Sequence, residues 1–590
     1  MLFSQLVEYY EKIEATSSRI EMTNLLVELL RKSPPEIIDK IVYLTIGEIY
    51  PPFTGIELGV ADKLALRAVK LASGQSDKVI KEEYSKLGDI GLVGEKLLHK
   101  RSQITLHMRE LTVQEVYQSL EKVARTTGEG AMDAKVNILV GLLSSATPKE
   151  AKYILRIVTG KLRLGVADMT ILDALAILYG GGKEARELFE RAYNITSDIG
   201  YVAKIAVTEG LDGIKNVKIT IGRPIRPMLA ERLSSAVEIL SKMGGKCIAE
   251  YKYDGERMQI HKKGSEVIIF SRRQENITSQ YPDVVKMVQE NVLAETAILE
   301  CEAVAIDRDT GDTLPFQELM HRKRKHEIEK AIEEYPVSLY FFDVLYVDGE
   351  DLTLKPLEER RRILEQIIKT NERINLSKAI FTDDPAELER FFHEAVEVGC
   401  EGLVVKSLGK EAIYRAGARG WLWIKYKRDY KSEMIDTVDL VVVGAFHGRG
   451  RRSGKYGALL MAAYDPERDV FPSVCKVGSG FTDEDLEKLP TILEQYRIPH
   501  KHARVETGME ADVWFEPKLV LEIIGAEITL SPIHYAGWGL IKKDTGLAIR
   551  FPRFTGRYRF DKNPEDATTV KELIEMYNSQ LKKITESASS

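Results

Sequence analysis

The segment Glu250-Tyr251-Lys252-Tyr253-Asp254-Gly255-Glu256-Arg257 sets an acid and a lysine two residues apart, just ahead of an Asp-Gly pair. On a β-strand, side chains two apart share a face, so Glu250 and Lys252 point the same way. Asp254-Gly255 then supplies a turn. Of the three Asp-Gly pairs, at 212, 254 and 348, only the one at Asp254 has a lysine two residues before the aspartate. Downstream, Phe270-Ser271-Arg272-Arg273 ends an apolar run in cations. Ile298-Leu299-Glu300-Cys301-Glu302-Ala303-Val304 sets acids inside an apolar strand. Carboxylates in such a place need a cation, a metal or a ligand hydroxyl. Next come the aromatic strand Tyr340-Phe341-Phe342-Asp343-Val344-Leu345, then Glu401-Gly402-Leu403-Val404-Val405-Lys406. In Arg419-Gly420-Trp421-Leu422-Trp423-Ile424-Lys425-Tyr426-Lys427, alternation puts Trp421, Trp423, Lys425 and Lys427 on one face. Arg559-Phe560-Asp561-Lys562 closes the series.

The elements that must position these residues change in texture along the chain. Up to Lys215 the periodicity is helical. Leu2, Leu6, Tyr9, Tyr10 and Ile13 recur at helix spacing, and Ser18 with Glu21 predicts a capping box ahead of Leu25, Leu26, Leu29 and Leu30. Further helices are predicted over Val113–Val123, Ala134–Leu143 and Ile171–Leu178, the last broken by Gly180-Gly181-Gly182. Pro224 and Pro227 end the helical texture and mark a first boundary. Beyond it, short alternating runs predict strands, with helices over Leu357–Thr370 and Pro385–Val398 between them. With no regular βαβ rhythm, this predicts an α+β domain built on antiparallel sheets. A second boundary falls near Lys427-Arg428-Asp429-Tyr430, and the short strands after it predict a small β-barrel followed by a C-terminal helix. The expected domains are therefore 1–215, 216–428 and 429–590.

Bulk properties set the class. The chain has 590 residues, 84 Lys and Arg against 90 Asp and Glu, a net charge of −6, and 44% hydrophobic and 29% charged residues. That is a globular composition with material for several cores, and it excludes disordered, collagen-like and disulfide-stapled chains. Cys247, Cys301, Cys400 and Cys475 are scattered with no CxxC pair, which argues against a zinc finger or redox pair and for buried reduced thiols. Glu8 and Glu11 interrupt the first apolar stretch, and no run approaches a membrane span. A cytoplasmic location is expected.

Taken in order, these segments resemble the motif set of the ATP-dependent DNA ligases, within the covalent nucleotidyltransferase superfamily. The arrangement is most similar to the archaeal and eukaryotic replicative type, and the resemblance spans essentially the whole chain. It implies an all-α DNA-binding domain, an α+β adenylation (nucleotidyltransferase) domain, and an OB-fold barrel domain. It also implies ATP and Mg2+ as cofactors and nicked duplex DNA as partner, in replication, repair and recombination. By this resemblance Lys252 is the nucleophile that becomes AMP-lysine, and Glu250 accepts from the adenine amino group. Arg257 and Glu302 hold the ribose, Glu302 also lying close to metal, and Phe342 stacks on the base. Arg272 contacts phosphate or the DNA 5′-end, and Glu401 is the foremost metal ligand. Arg419, Lys425 and Lys427 bind the triphosphate, while Arg559, Asp561 and Lys562 act on the leaving pyrophosphate. A lysine must be neutral to attack, and neighbouring cations favour that form; Lys425, Lys427 and Mg2+ are the expected neighbours of Lys252.

DNA binding needs a basic, backbone-reading surface. His447 to Lys455 contains Arg449, Arg451, Arg452 and Lys455 and no acid, which suits a hairpin against phosphates. In the helical region, Lys161 and Arg163 between Gly160 and Gly165 suit a second phosphate-facing turn. Related archaeal ligases carry a sliding-clamp peptide near the place of Gln103-Ile104-Thr105-Leu106, yet His107 and Met108 stand where its aromatics are expected. An ordinary loop is the favoured reading of Gln103 to Leu106, and a monomer is expected. The competing assignments are an RNA ligase or capping-type nucleotidyltransferase, which the long helical region opposes, and an inactive DNA-binding scaffold, which the intact Lys252, Glu302, Glu401 and Lys425 oppose. No GxxxxGK[ST] occurs, so a P-loop ATPase is excluded as the main activity.

Overall fold

A computed structural model describes residues 1–99, 110–306, 316, 319, 322, 328–397, 400–427, 436–448, 454–525, 527–531, 533–541, 543, 545–550 and 552–587. The chain forms two compact units, one holding nearly all of residues 1–425 and the other dominated by residues 426–590.

The first unit begins with helices from Phe3–Glu14 to Ile199–Lys215. Their starts follow the side chains. Thr112 with Glu115, and Thr147 with Glu150, close full capping boxes. The box expected at Ser18 is only half made: Ser18 accepts from the Glu21 N–H, but the Glu21 carboxylate accepts from Thr16 Oγ1 at 2.6 Å instead. The helices predicted from periodicity are present over Val113–Arg125, Ala131–Ser145 and Asp168–Tyr179.

After Lys215 the chain enters two sheets. Their strands are β1 (Leu229–Arg232), β2 (Cys247–Lys252), β3 (Glu256–Lys263), β4 (Glu266–Ser271), β5 (Thr296–Ala305), β6 (Val337–Val347), β7 (Glu350–Asp351), β8 (Ile374–Leu376), β9 (Ala379–Thr382), β10 (Gly402–Lys406) and β11 (Arg419–Lys427). One sheet has the order β1-β11-β10-β2-β9, the other β4-β3-β5-β6-β7 with β8 beside β6. Pairing is not wholly antiparallel, as the sequence suggested: β1 runs parallel to β11, and β8 parallel to β6. Those two pairs join strands that are distant in sequence, where no tight hairpin dictates direction. Apolar side chains of Ile195, Ile225, Met228, Ile298, Leu345, Tyr414 and Trp423 make one cluster, so the last helical segments and these sheets share a core.

The second unit is a barrel-like sheet of β12 (Val438–His447), β13 (Tyr456–Ala462), β14 (Phe471–Val477), β15 (Arg497–Ile498), β16 (Val505–Glu506), β17 (Val513–Phe515), β18 (Val520–Ile524) and β21 (Arg553–Tyr558). A separate hairpin, β19 (Glu527–Ser531) with β20 (Gly546–Arg550), lies beside it. Helix Val570–Ser587 is pinned to β19, where Gln580 exchanges two hydrogen bonds of 3.0 Å with the backbone of Ile528. All four cysteines are buried and outside disulfides. Among the described residues, no helix is long and apolar enough to cross a membrane.

Candidate active site

Lys252 is the last residue of β2, which lies between β9 and β10. Gly402 stands opposite it in register, and the Glu401 N–H donates to the Lys252 carbonyl at 2.8 Å. This pairing brings the Glu401 carboxylate to the lysine: Oε2 lies 2.5 Å from Nζ. The expected cationic neighbours Lys425 and Lys427 lie on β11, next to β10 in the same sheet. The charge its Nζ meets is acidic, because the residue leading into β10 is a glutamate. Beyond Lys252, the turn through Gly255 presses on β5. A Cβ at Gly255 would lie 2.3 Å from the Ala303 carbonyl oxygen, a backbone clash that only glycine avoids.

On the neighbouring sheet, Arg257 of β3 stands opposite Glu302 of β5. Its guanidinium reaches the next acid on that face instead. Arg257 Nη2 donates to both oxygens of Glu300, at 3.0 and 2.9 Å, and Nη1 donates to the Met228 carbonyl at 3.0 Å. Tyr414 donates its hydroxyl proton to Glu300 Oε2 at 2.9 Å. Glu302 is left facing the lysine side of the site. Burial pushes its carboxyl up to about 7, against the opposing pull of Lys252 and Arg257.

Aromatic and cationic groups pack together around Arg257. The Phe342 ring packs edge-on to Trp423 at 6.4 Å, with the Arg257 guanidinium 5.3 Å and the Lys406 ammonium 5.0 Å from its centroid. Glu250 is 2% exposed and bonded to two cations, Lys406 at 2.7 Å and Arg361 at 2.9 Å. Glu300, Tyr414, Trp423, Lys406 and Arg361 were not singled out as site residues from the sequence. Glu300, Trp423 and Lys406 lie inside the motifs, but Arg361 sits on the helix Leu357–Ile367 with nothing local to mark it.

Burial lowers the pKa of Arg272, helped by the charges of Arg257 and Arg419 and opposed by Glu302 and Glu401, so Arg272 feels both halves of the site. Arg419 opens β11, and Lys425 and Lys427 lie further along the same strand. A cavity of about 350 Å³ opens beside Arg272, lined also by Glu48, Asp168, Arg226 and Arg273; Lys252 does not line it.

The donor set near Lys252 fits a magnesium ion shared with phosphate. Among the described residues no cluster of three acids, cysteines or histidines forms a closed metal cage. Glu302 and Glu401, whose charges act on each other, would supply the one or two carboxylates that Mg2+ uses when phosphate oxygens and water complete its shell.

In the second unit, Arg559 bonds Asp561 through Nε and Nη2, at 3.0 and 2.8 Å. Arg559 Nη1 and Lys562 Nζ each lie 2.7 Å from Asp439 Oδ2. Arg449, Arg451 and Arg452 fall outside the described residues, as do Gln103 and Leu106. Lys455 pairs with Glu487 at 3.2 Å. In the helical region Lys161 pairs with Asp62 at 2.6 Å and Arg163 with Asp89 at 3.0 Å, so both cations already hold acids.

A lysine at a strand end, acids facing it, and an arginine packed on aromatic rings define a site suited to nucleotidyl transfer. The comparisons identify its family. The model of the ATP dependent DNA ligase domain matches residues 227–427, that of the DNA ligase N terminus residues 2–176, and that of the ATP dependent DNA ligase C terminal region residues 452–562. DNA ligase 2 of Thermofilum pendens is 60% identical over 588 residues, covering 98% of each chain. The DNA ligase of Staphylothermus marinus is 58% identical, covering 99% of this chain and 100% of its own. The solved structure Pmar-Lig_PreS3 shares the fold with a TM-score of 0.55, at 18% identity, covering 94% of this chain and 99% of that one. The chain belongs to the ATP-dependent DNA ligase family, and it is an ATP-dependent DNA ligase. The RNA-ligase, capping-type and inactive-scaffold alternatives are not favoured.

Proposed function

We propose that Lys252 carries AMP from ATP to a 5′-phosphate at a nick in duplex DNA. The carrying observation is the placement of Lys252 Nζ against Glu401 at a strand end, 2.5 Å away. The amine of Lys252 attacks the α-phosphorus of ATP; an N–P bond forms, the bond to the β-phosphate oxygen breaks, and pyrophosphate leaves with the electron pair. A 5′-phosphate oxygen then attacks that phosphorus, and the lysine nitrogen departs and regains a proton. Finally a 3′-hydroxyl attacks the activated 5′-phosphorus and AMP leaves.

Deprotonating a lysine of ordinary pKa at pH 7 costs about 4.6 kcal/mol. Were Glu401 and Glu302 to hold a magnesium ion, its charge would offset theirs beside Lys252, which would favour the neutral amine. Bound Mg2+ supplies neutralisation of charge developing on the phosphates. Phe342 and Trp423 face the base, Glu250 reads its amino group, and Arg257 and Glu302 hold the ribose. Arg272, Arg419, Lys425 and Lys427 take phosphates, and Arg559, Asp561 and Lys562 act on pyrophosphate.

Lys161, Arg163, Arg449, Arg451, Arg452 and Lys455 are read as phosphate contacts along the duplex, Lys161 and Arg163 exchanging their acids for phosphate. The acting form is read as a monomer in the cytoplasm, serving replication, repair and recombination. Clamp binding through Gln103 and Leu106 rests on sequence alone.

Lys252→Ala tests the central assignment. The variant should take no label from α-labelled ATP, while sealing of pre-adenylated nicked DNA partly survives. Normal labelling of the variant overturns it.

A further inference from the structure

We infer that Asp439 is a positioning residue for the pyrophosphate-handling cations; the inference rests on the roles proposed for Arg559, Asp561 and Lys562. Asp439 stands in β12, far upstream in sequence from the last motif. Its Oδ2 accepts from Arg559 Nη1 and from Lys562 Nζ, both at 2.7 Å. Its side chain is 12% exposed, against 63% for Asp561, the other acid on Arg559. The backbone of Asp439 is fixed as well. Its N–H donates to Thr568 Oγ1 at 2.9 Å, its carbonyl accepts from the Thr568 N–H at 2.8 Å, and it stands opposite Glu522 in register.

Two cations brought onto one carboxylate oxygen would otherwise repel and swing apart into solvent. The acid that holds them is buried on a central strand, whereas Asp561 rides on the same exposed segment as the cations. Asp439 therefore sets where Arg559 and Lys562 present their charge, and groups aimed in advance at developing negative charge are worth more than the same groups left mobile. The oxygen Oδ1 is buried, and among the described residues no hydrogen-bond donor reaches it, so the hydrogen bonds of this carboxylate run through the one oxygen that meets both cations.

Asp439→Asn in the full chain tests the inference. With α-labelled ATP and Mg2+, single-turnover adenylation of Lys252 should slow about ten- to a hundredfold, the scale of a misplaced reacting group. Pyrophosphate-driven release of AMP from the adenylated protein should slow by the same factor, because it is the reverse step. Sealing of pre-adenylated nicked DNA should stay within about twofold. In an Arg559→Ala/Lys562→Ala background, Asp439→Asn should add no further loss, since residues acting as one unit are not additive. Asp439→Glu, which keeps the charge, should retain more adenylation than Asp439→Asn at matched thermal stability. Parent-rate adenylation by Asp439→Asn, equal loss in adenylation and sealing, an undiminished effect in the double background, or a reversed order of the Asn and Glu variants overturns it. Normal adenylation by Arg559→Ala/Lys562→Ala would instead overturn the pyrophosphate role itself, and the inference with it.

Discussion

Arg257 is clamped by Glu300, although the residue opposite it in the β3–β5 register is Glu302. Glu300 is 1% exposed and spends its oxygens on Arg257 and Tyr414. The two acids of this strand therefore divide their work: Glu300 fixes the arginine, and Glu302 remains beside the lysine.

That division predicts the outcome of Glu300→Gln. The change leaves the Arg257 guanidinium half-served in a buried setting, which costs about 3 kcal/mol when a buried pair is broken. Adenylation of Lys252 should fall at least about tenfold, because the guanidinium also stacks on Phe342. Thermal unfolding and label transfer from α-labelled ATP measure the two effects. A variant as stable and as active as the parent would show that Glu300 is dispensable.

Gly255→Ala should damage the lysine turn without touching a charge. The added Cβ meets a backbone oxygen at 2.3 Å, which no rotamer change relieves. Overpacking of this kind costs about 1–3 kcal/mol. The displacement falls between Lys252 and Arg257, so adenylation should drop more than DNA binding. Nicked-duplex affinity falling as far as adenylation would point to general unfolding instead.

His261 predicts a pH dependence. It is fully buried in β3, its Nδ1 accepts from the Gly222 N–H at 3.0 Å, and its Nε2 faces Gln259 Oε1 at 2.9 Å. Burial pushes its pKa from 6.5 down to about 3. The unfolded chain takes a proton there that the folded protein refuses, so stability is lost as pH falls below 6.5, by up to about 1.4 kcal/mol per pH unit. Melting of the parent and of His261→Gln from about pH 7 to about pH 5 checks this: the parent's advantage should shrink as pH falls. A constant gap means His261 does not carry the effect.

The basic segment between β12 and β13 predicts a change in salt dependence. Each phosphate neutralised adds about 0.9 to the slope of log affinity against log salt. Changing Arg449, Arg451 and Arg452 together to Ala should therefore flatten the slope for nicked duplex by about two to three units, if all three meet phosphate. Adenylation without DNA should hold. Parallel slopes would move the DNA footprint to the helical region around Lys161 and Arg163.

The sequence by itself determined the class of fold and the family of the enzyme. Alternation and periodicity place β6 over Val337–Val347 and β10 over Gly402–Lys406 to the residue, because each is bounded by turn residues and filled with β-branched and aromatic side chains. The proposal for Lys252 could be made from sequence because it rests on a local run, Glu250 to Arg257. What only the tertiary structure decided is which charges meet. Arg361 and Lys406 reach Glu250, Glu401 reaches Lys252, and Asp439 reaches Arg559 and Lys562. Each pair is separated by roughly a hundred residues or more and joined by strand pairing or by a helix laid across a sheet. Pattern along the chain fixes which face a side chain occupies, but the partner on that face is set by how sheets and helices pack, and no local spacing records it.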